Sequence, residues 1–540
     1  MTVLQAPTDP AVTEAARSVL KGRTAPRLLT PLALLAVVPA AIPTGFLVWT
    51  VVRPGGFDAG GFTAGRLLEL LVSTGWLVAT VTFTALALGM TTAWLTTRTD
   101  LPGRRTWSTL AALPLVIPSY VGALTLLASS GNEGMLTQML RSVGLGAVPS
   151  FTGFWAAWGA LSLWNFPFVH LLAVPALRRL DPALEEAASG LGASRWRTIT
   201  TIVIPQLKPG LTGAALLVSL YVMSDFGAVS LLRYETFTRA IYTQLRGRLT
   251  LTPALFLSGI LVIIALVLVF AEQRSRGRTV PMVARPPRHQ RPIRLGARGT
   301  VVGLGFMTVL VIASLGMPLL TLGWWAVRGS SLGNSAAIIA GELVNSVGVA
   351  GGAAVLTAIA ALPVAVLAVR HANRTSRGIE SVAWAAYSLP HIAVGLAFLV
   401  IAVRLLPAIY QSIPLLLIAY VALFLPLALA STEAGLRQVP ASLEEASRSL
   451  GMGQWRTLRL VTGPLVWRSI VAGGALVFLT AMKELPATLL LRPTGFQTLA
   501  VEVWSASSEL FYTQASVAAL VLVGLSAVPL FVLVARGLHV

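Results

Sequence analysis

Twelve times along its 540 residues this chain writes an apolar run of about 20 residues, long enough to cross a bilayer core of roughly 30 Å as a helix. The runs fall near 28–52, 68–96, 107–129, 152–176, 208–232, 252–271, 300–326, 342–369, 379–403, 413–433, 468–491 and 513–535. Over the whole chain only 11% of the residues are charged, where an ordinary soluble globule carries roughly a quarter. Lipid supplies no water to backbone amides, so each run must satisfy its own hydrogen bonds as a helix. The predicted fold is an all-α polytopic membrane protein of about twelve transmembrane helices.

A net charge of +20 could suggest nucleic acid, but the positions of the charges exclude that reading. With the N-terminus placed inside, 29 of the 40 Lys and Arg residues fall on inside segments, ten fall on the opposite side, and Lys483 falls within a span. That is the positive-inside pattern, with both termini cytoplasmic. The polar stretch 1–27 lacks a convincing cleavage site and reads as a retained cytoplasmic tail. An Arg- and Pro-rich stretch at 272–299 cannot bury a core and separates a first half, 28–271, from a second, 300–540. It is either a mobile cytoplasmic connection beside anionic headgroups or only a stop-transfer signal between two fused copies.

The two halves repeat one another. Leu184 to Pro205 reads LEEAASGLGASRWRTITTIVIP, and 259 positions later Leu443 to Pro464 reads LEEASRSLGMGQWRTLRLVTGP. MSDFGAVSLLR from Met223 matches MKELPATLLLR from Met482 at the same offset, and LVIPSYVGAL from Leu115 resembles YSLPHIAVGL from Tyr387. Six spans per half put both copies in the same orientation, a parallel repeat with any pathway on the axis between them.

The repeated polar loop reads as a short helix. Pro182 suits a first turn with Asp181 as cap, and Ser442 with Glu445 has capping-box spacing. Gly192 and Gly451 suit a left-handed turn that ends it, after which Trp196 and Trp455 begin another surface helix. Glu185, Ala188, Ser189 and Gly192 share one face, as do Glu444, Ser447, Arg448 and Gly451, with small residues that admit another backbone. Such a helix either docks into the cleft of a soluble partner or lies in the interface with Trp and Arg at the headgroups. Writing the loop twice favours docking.

Ionisable groups inside spans are costly and mark functional candidates. Asp225 and Glu484 occupy equivalent positions, with Lys483 beside the second; Tyr120 and His391, after Pro118 and Pro390, are weaker candidates. The carboxylates either pair with Lys483 or cap broken helices near Gly227 and Pro486, or they stand beside the pathway, where they attract a cation or shape a gate. The chain has no Cys, and its five His lack metal-ligand spacing, so no tight metal site is expected. Neither a phosphate-binding loop nor a catalytic constellation is present in the sequence. A twelve-helix secondary transporter shares the architecture but has no need of duplicated docking loops.

The loop resembles the signature of binding-protein-dependent ABC permeases, Glu-Ala-Ala-x3-Gly-x9-Ile-x-Leu-Pro. Here it stands as Glu186-Ala187-Ala188, Gly192, Ile202, Ile204 and Pro205. The second copy, Glu445-Ala446-Ser447, Gly451, Leu460 and Pro464, is looser, with Ser for the second Ala and Thr462-Gly463 where an apolar pair is usual. The resemblance implies a fused two-half permease of the bacterial inner membrane. Glu185, Glu186, Ala187, Ala188 and Gly192, with Glu444, Glu445, Ala446, Ser447 and Gly451, would form two coupling helices. Two copies of a separate ATPase, using ATP and Mg, would dock there, and an extracytoplasmic binding protein would deliver substrate. No cofactor is implied in this chain itself. The segments after the loops look most like ferric-iron permeases, with thiamine permeases as relatives.

Overall fold

The computed structural model describes residues 28–53, 62–180, 182–247, 251–275, 292–329 and 335–535. Among them helix dominates and the only β pairing is an isolated parallel bridge between Thr99 and Ile293. Nine helices are long and apolar enough to cross a membrane, eleven if each of two sharply bent pairs counts once, and Tyr512–Val528 is a shorter apolar helix. Every predicted run therefore falls on helix, but four differ in form from a plain span.

The first half begins with α1 (Leu29–Val52) and α2 (Ala64–Arg98), the latter capped by Thr63, whose side chain accepts from the Arg66 amide. At 35 residues α2 is about 52 Å long, well beyond the bilayer core, and it ends at Arg98. The predicted span 107–129 is instead α3 (Arg104–Ala112), a tighter turn at Leu113–Val116 and α4 (Ser119–Ser129), bent by 90°. Pro118 is the cause: it lacks an amide hydrogen and holds Ile117 before it in extended backbone, ψ 115°. Then follow α5 (Gly153–Arg178), the short α6 (Pro182–Gly190), the continuous span α7 (Trp196–Ser224), a second short helix α8 (Gly227–Leu231) and α9 (Thr252–Ser275).

The second half repeats the plan in α10 (Gly296–Arg328), α11 (Ser335–Arg370), α12 (Arg374–Ala385), α13 (His391–Leu405), α14 (Ile413–Gln438), α15 (Ala441–Ser449), α16 (Gln454–Met482), α17 (Pro486–Leu491), α18 (Leu499–Ser508) and α19 (Tyr512–Ala535). The span expected at 379–403 is broken at Pro390 and bent by 110°. An Asn373–Ser376 capping box starts its first arm. Of the predicted linker, residues 276–291 lie outside the described residues, as do Asp181 and the tail 1–27. Its last residues return to α2: the Ile293 amide donates to Arg98 O at 2.8 Å, and the Leu295 amide to Asp100 Oδ1 at 2.9 Å.

Trp196 and Trp455 do not open separate surface helices. Each lies in the first turn of a long span, which widens into one π turn, at Ile199–Val203 and Leu458–Thr462. A third π turn covers Ile312–Gly316. All three end two residues before a proline, Pro205, Pro464 and Pro318. A proline ring collides with the carbonyl four residues back, and a wider turn moves that carbonyl away without breaking the helix.

The helices form two compact units. One contains residues 28–43, Ala350–Tyr387 and Leu417–Ala481; the other contains Thr44–Val349, Ser388–Leu416 and Met482–Val540. In the second unit α5 packs along α2 at Gly89, where a Cβ would sit 2.5 Å from Val169 Cβ and 2.7 Å from Phe166 O. In the first unit α14 meets α16 at Gly435, whose Cβ would lie 2.5 Å from Ser469 Cβ. Small residues allow this approach, because lipid adds no hydrophobic drive between helices and packing must hold them. Gly89→Val should therefore cost about 1–3 kcal/mol, the usual penalty of overpacking, read as a lowered thermal midpoint of purified protein in detergent. Gly75→Val, on the same helix with nothing within 4 Å, should leave the midpoint nearly unchanged.

Candidate functional site: duplicated loops and paired helix breaks

The first loop helix, α6, ends as its sequence requires. Gly192 takes φ +81°, the Gly192 amide bonds Ser189 O at 3.0 Å, and the Ala193 amide bonds Ala188 O at 3.0 Å. Nothing lies within 4 Å of a Cβ built there, so glycine is required by the left-handed backbone and not by space. In the second loop, Gly451 has φ +84° and the Met452 amide bonds Ser447 O at 3.2 Å. The expected Ser442 cap is not formed. The helix starts two residues earlier than such a cap would set it, at Ala441, with Pro440 as the boundary and no side-chain cap.

Each loop is held to its own bundle by a carboxylate. Arg98 Nη2 donates to Glu185 Oε1 at 2.7 Å and to Oε2 at 2.5 Å. Arg370 Nε donates to Glu444 Oε1 at 2.9 Å, and its Nη2 to Val439 O at 2.9 Å, just before the loop helix. Glu444 is buried and also accepts from Thr462 Oγ1 at 3.1 Å. Ser447 Oγ lies 2.9 Å from Thr457 Oγ1. Two of the three residues in which the second copy departs from the family pattern, Ser447 and Thr462, thus tie it to the first turns of α16. Val203 stands in the place of Thr462 and is buried without a hydroxyl.

Of the two faces predicted to admit another backbone, Glu185, Glu444 and Ser447 are bonded to the protein itself, while Ser189, Gly192 and Gly451 stay exposed. What projects outward are Glu186 and Ala187 in one copy and Glu445 and Ala446 in the other, all exposed. Beside them Leu191 is 89% exposed and Leu450 81%, with Leu184, Leu443, Trp196 and Trp455 also open. Large apolar side chains at equivalent exposed positions of two polar loops form a surface that lacks its cover.

The intramembrane carboxylates occupy the second feature that both halves share. Helix α7 stops at Ser224, and Asp225 Oδ1 accepts from the amides of Ala228 at 3.0 Å and Val229 at 3.4 Å, opening α8. Its Oδ2 takes the Ser119 hydroxyl. In the other half α16 stops at Met482, Glu484 Oε1 accepts from the Ala487 amide at 3.0 Å, and Oε2 lies 2.6 Å from His391 Nδ1. The carbonyls are matched too: Thr238 Oγ1 donates to Asp225 O at 2.6 Å, and Thr488 Oγ1 to Glu484 O at 2.8 Å. Both residues cap a broken helix, with the second oxygen held by the residue after Pro118 or Pro390.

Neither carboxylate pairs with Lys483. Its Nζ donates to Leu115 O at 3.1 Å, a carbonyl freed where α3 breaks before Pro118. Tyr120 is buried, its hydroxyl 3.5 Å from Lys483 O and its Cβ where a side chain on Gly227 would fall, at 2.5 Å. Ser119, Arg98 and Arg370 are not among the candidates the sequence offers, and Thr462 stands there only as a departure from the family pattern. Ser119 follows Pro118 as His391 follows Pro390, and that is the signal by which it could have been found. Among the described residues no group of three or more His, Asp or Glu could hold a metal ion.

A family model described as "Binding-protein-dependent transport system inner membrane component" matches residues 85–271 and again residues 353–539. The chain belongs to this family and carries its domain twice, which makes it a fused two-half permease of an ABC importer and a multi-pass inner-membrane component. It is 31% identical over 475 residues to an Fe(3+)-transport system permease protein of Haemophilus influenzae, covering 87% of this chain and 90% of that protein. A putative ferric transport system permease protein of the same organism is 25% identical over 449 residues, 79% of this chain and 71% of that protein. A sulfate transport system permease protein of Escherichia coli matches at 33% over 141 residues, 26% of this chain and 50% of that protein.

Asp225→Ala should lower stability by about 1–2 kcal/mol, the cost of a lost helix cap. Asp225→Asn keeps an acceptor for the Ala228 amide and should lose less. Equal thermal midpoints for the two variants in detergent would show that the cap contributes nothing.

Proposed function

We propose that this permease carries ferric iron into the cytoplasm from an extracytoplasmic binding protein, driven by two copies of a separate ATPase that dock on α6 and α15. The observation that supports docking is the pair of exposed faces, Glu186, Ala187 and Leu191 on one loop and Glu445, Ala446 and Leu450 on the other. Both end at a left-handed glycine, which fixes where the face stops. ATP and Mg belong to the partner in this reading, since the chain has no Gly-x4-Gly-Lys-Ser/Thr loop. Both termini lie in the cytoplasm in this reading, which the distribution of Arg supports.

Iron as cargo rests on the ferric permease of Haemophilus influenzae, similar along 87% of this chain. The geometry changes the part given to Asp225 and Glu484. Both oxygens of each carboxylate already accept hydrogen bonds, so coordinating an ion would mean giving up a cap inside the bundle. Their role is to shape a gate at the two breaks. A thiamine permease would share the loops and differ in the receptor, and iron binding by that receptor separates the two.

Glu186→Lys with Glu445→Lys should abolish uptake by vesicles while the protein still inserts, because charge reversal on an exposed docking face opposes the partner. Unchanged ATPase association and transport would count against docking at these loops. Intact-complex mass should give one permease, two ATPases and one binding protein. Two permease chains per complex would contradict the reading.

A further inference from the structure

The long second helix of each half is pinned at its last residue and again well before it, and the pins match. In the first half Arg98 closes α2 and holds Glu185 of the loop helix through both carboxylate oxygens. Some 24 residues earlier on α2, Thr74 Oγ1 accepts from the Phe237 amide at 3.2 Å, and Ser73 O accepts from the Tyr234 hydroxyl at 3.0 Å. Tyr234 and Phe237 lie in the segment that follows α8, the helix capped by Asp225. In the second half Arg370 closes α11 and holds Glu444. On the same helix Ser346 Oγ accepts from the Leu499 amide at 2.8 Å, and Asn345 Nδ2 donates to Gln497 O at 2.9 Å, in the segment that follows α17. Arg98 and Arg370, Thr74 and Ser346, and Ser73 and Asn345 all stand 272 positions apart.

We propose that α2 and α11 are transmission rods, with Arg98 and Arg370 as the positioning residues that couple loop displacement to them. A continuous helix resists bending over its length, so a push on Glu185 or Glu444 arrives as a tilt at the far pin, beside the capped break. The Arg side chains suit this because a planar guanidinium grips in two directions, on both oxygens of Glu185 or on Glu444 and Val439 O together. The second linkage is the stiffer: Glu444 also holds Thr462, and Ser447 holds Thr457. Among the described residues Glu185 has no counterpart to the Thr462 bond. The proposal rests on α6 and α15 being the docking loops, and it assigns a role to residues that do not touch the ATPase.

The test uses the full permease, with its ATPase and receptor, reconstituted in lipid vesicles, and reads substrate transported per ATP hydrolysed. Arg98→Gln with Arg370→Gln should leave ATPase association intact and lower that ratio at least about tenfold, the factor that 1.4 kcal/mol represents. Glu444→Gln should cost more than Glu185→Gln. Arg98→Glu should fail in the same way, and Arg98→Glu with Glu185→Arg should recover a substantial part of the ratio, which a merely destabilised bundle would not. An unchanged ratio in the double Gln variant overturns the proposal, as does failure of the reversed pair to recover anything while it still binds the ATPase. Failure of the unaltered chain to bind the ATPase would instead overturn the docking reading.

Discussion

A helix that breaks among apolar neighbours leaves amides and carbonyls that no water can reach, and each one left unpaired costs more than an ordinary hydrogen bond contributes. This chain breaks helices at Pro118, at Pro390, after Ser224 and after Met482. Asp225 and Glu484 satisfy the amides that open α8 and α17, Ser119 and His391 hold their other oxygens, and Lys483 takes the Leu115 carbonyl. The breaks are therefore joined in pairs, each bent arm to the capped end of a long span. Ser119–Asp225 and His391–Glu484 are one device built twice with different chemistry. Moving either arm means exchanging these bonds together.

The loops show the same economy with unequal halves. Both carry a Glu turned inward onto an Arg and a neighbouring Glu that is exposed. In the second copy Ser447 and Thr462 look like decay of the family pattern until their hydroxyls are placed: both bonds cross from the loop helix to the next span. The first copy has a different supplement, since the end of the basic linker pairs with Arg98 and Asp100 beside its anchor. One loop is fastened to the helix after it; the other is anchored on a helix end that is itself bonded to the segment joining the halves.

Most of the fold was legible because lipid imposes length: all twelve apolar runs fall on helix, and Gly192 and Gly451 ended the loop helices as expected. The bends at Pro118 and Pro390 were within reach, yet hydropathy averages over them and reports one span. The inward face of the loops was misread because small residues alone do not say which neighbour approaches. The pairing of breaks was hidden by a change of offset. The halves align 272 apart up to Leu124 and 259 apart from Phe166, and the extra residues of the first half include the short helix Met135–Ser142. Ser119 and Arg98 lie on one side of that change, Asp225 and Glu185 on the other. No periodicity within a helix connects them.

The absence of Cys makes the central claim directly accessible. Single cysteines in place of Leu191 and of Leu450 should each cross-link to the ATPase in the assembled transporter, and the chain carrying both should yield a product with one permease and two ATPases. Cross-links to lipid alone at both positions, in a complex that still hydrolyses ATP, would contradict the account.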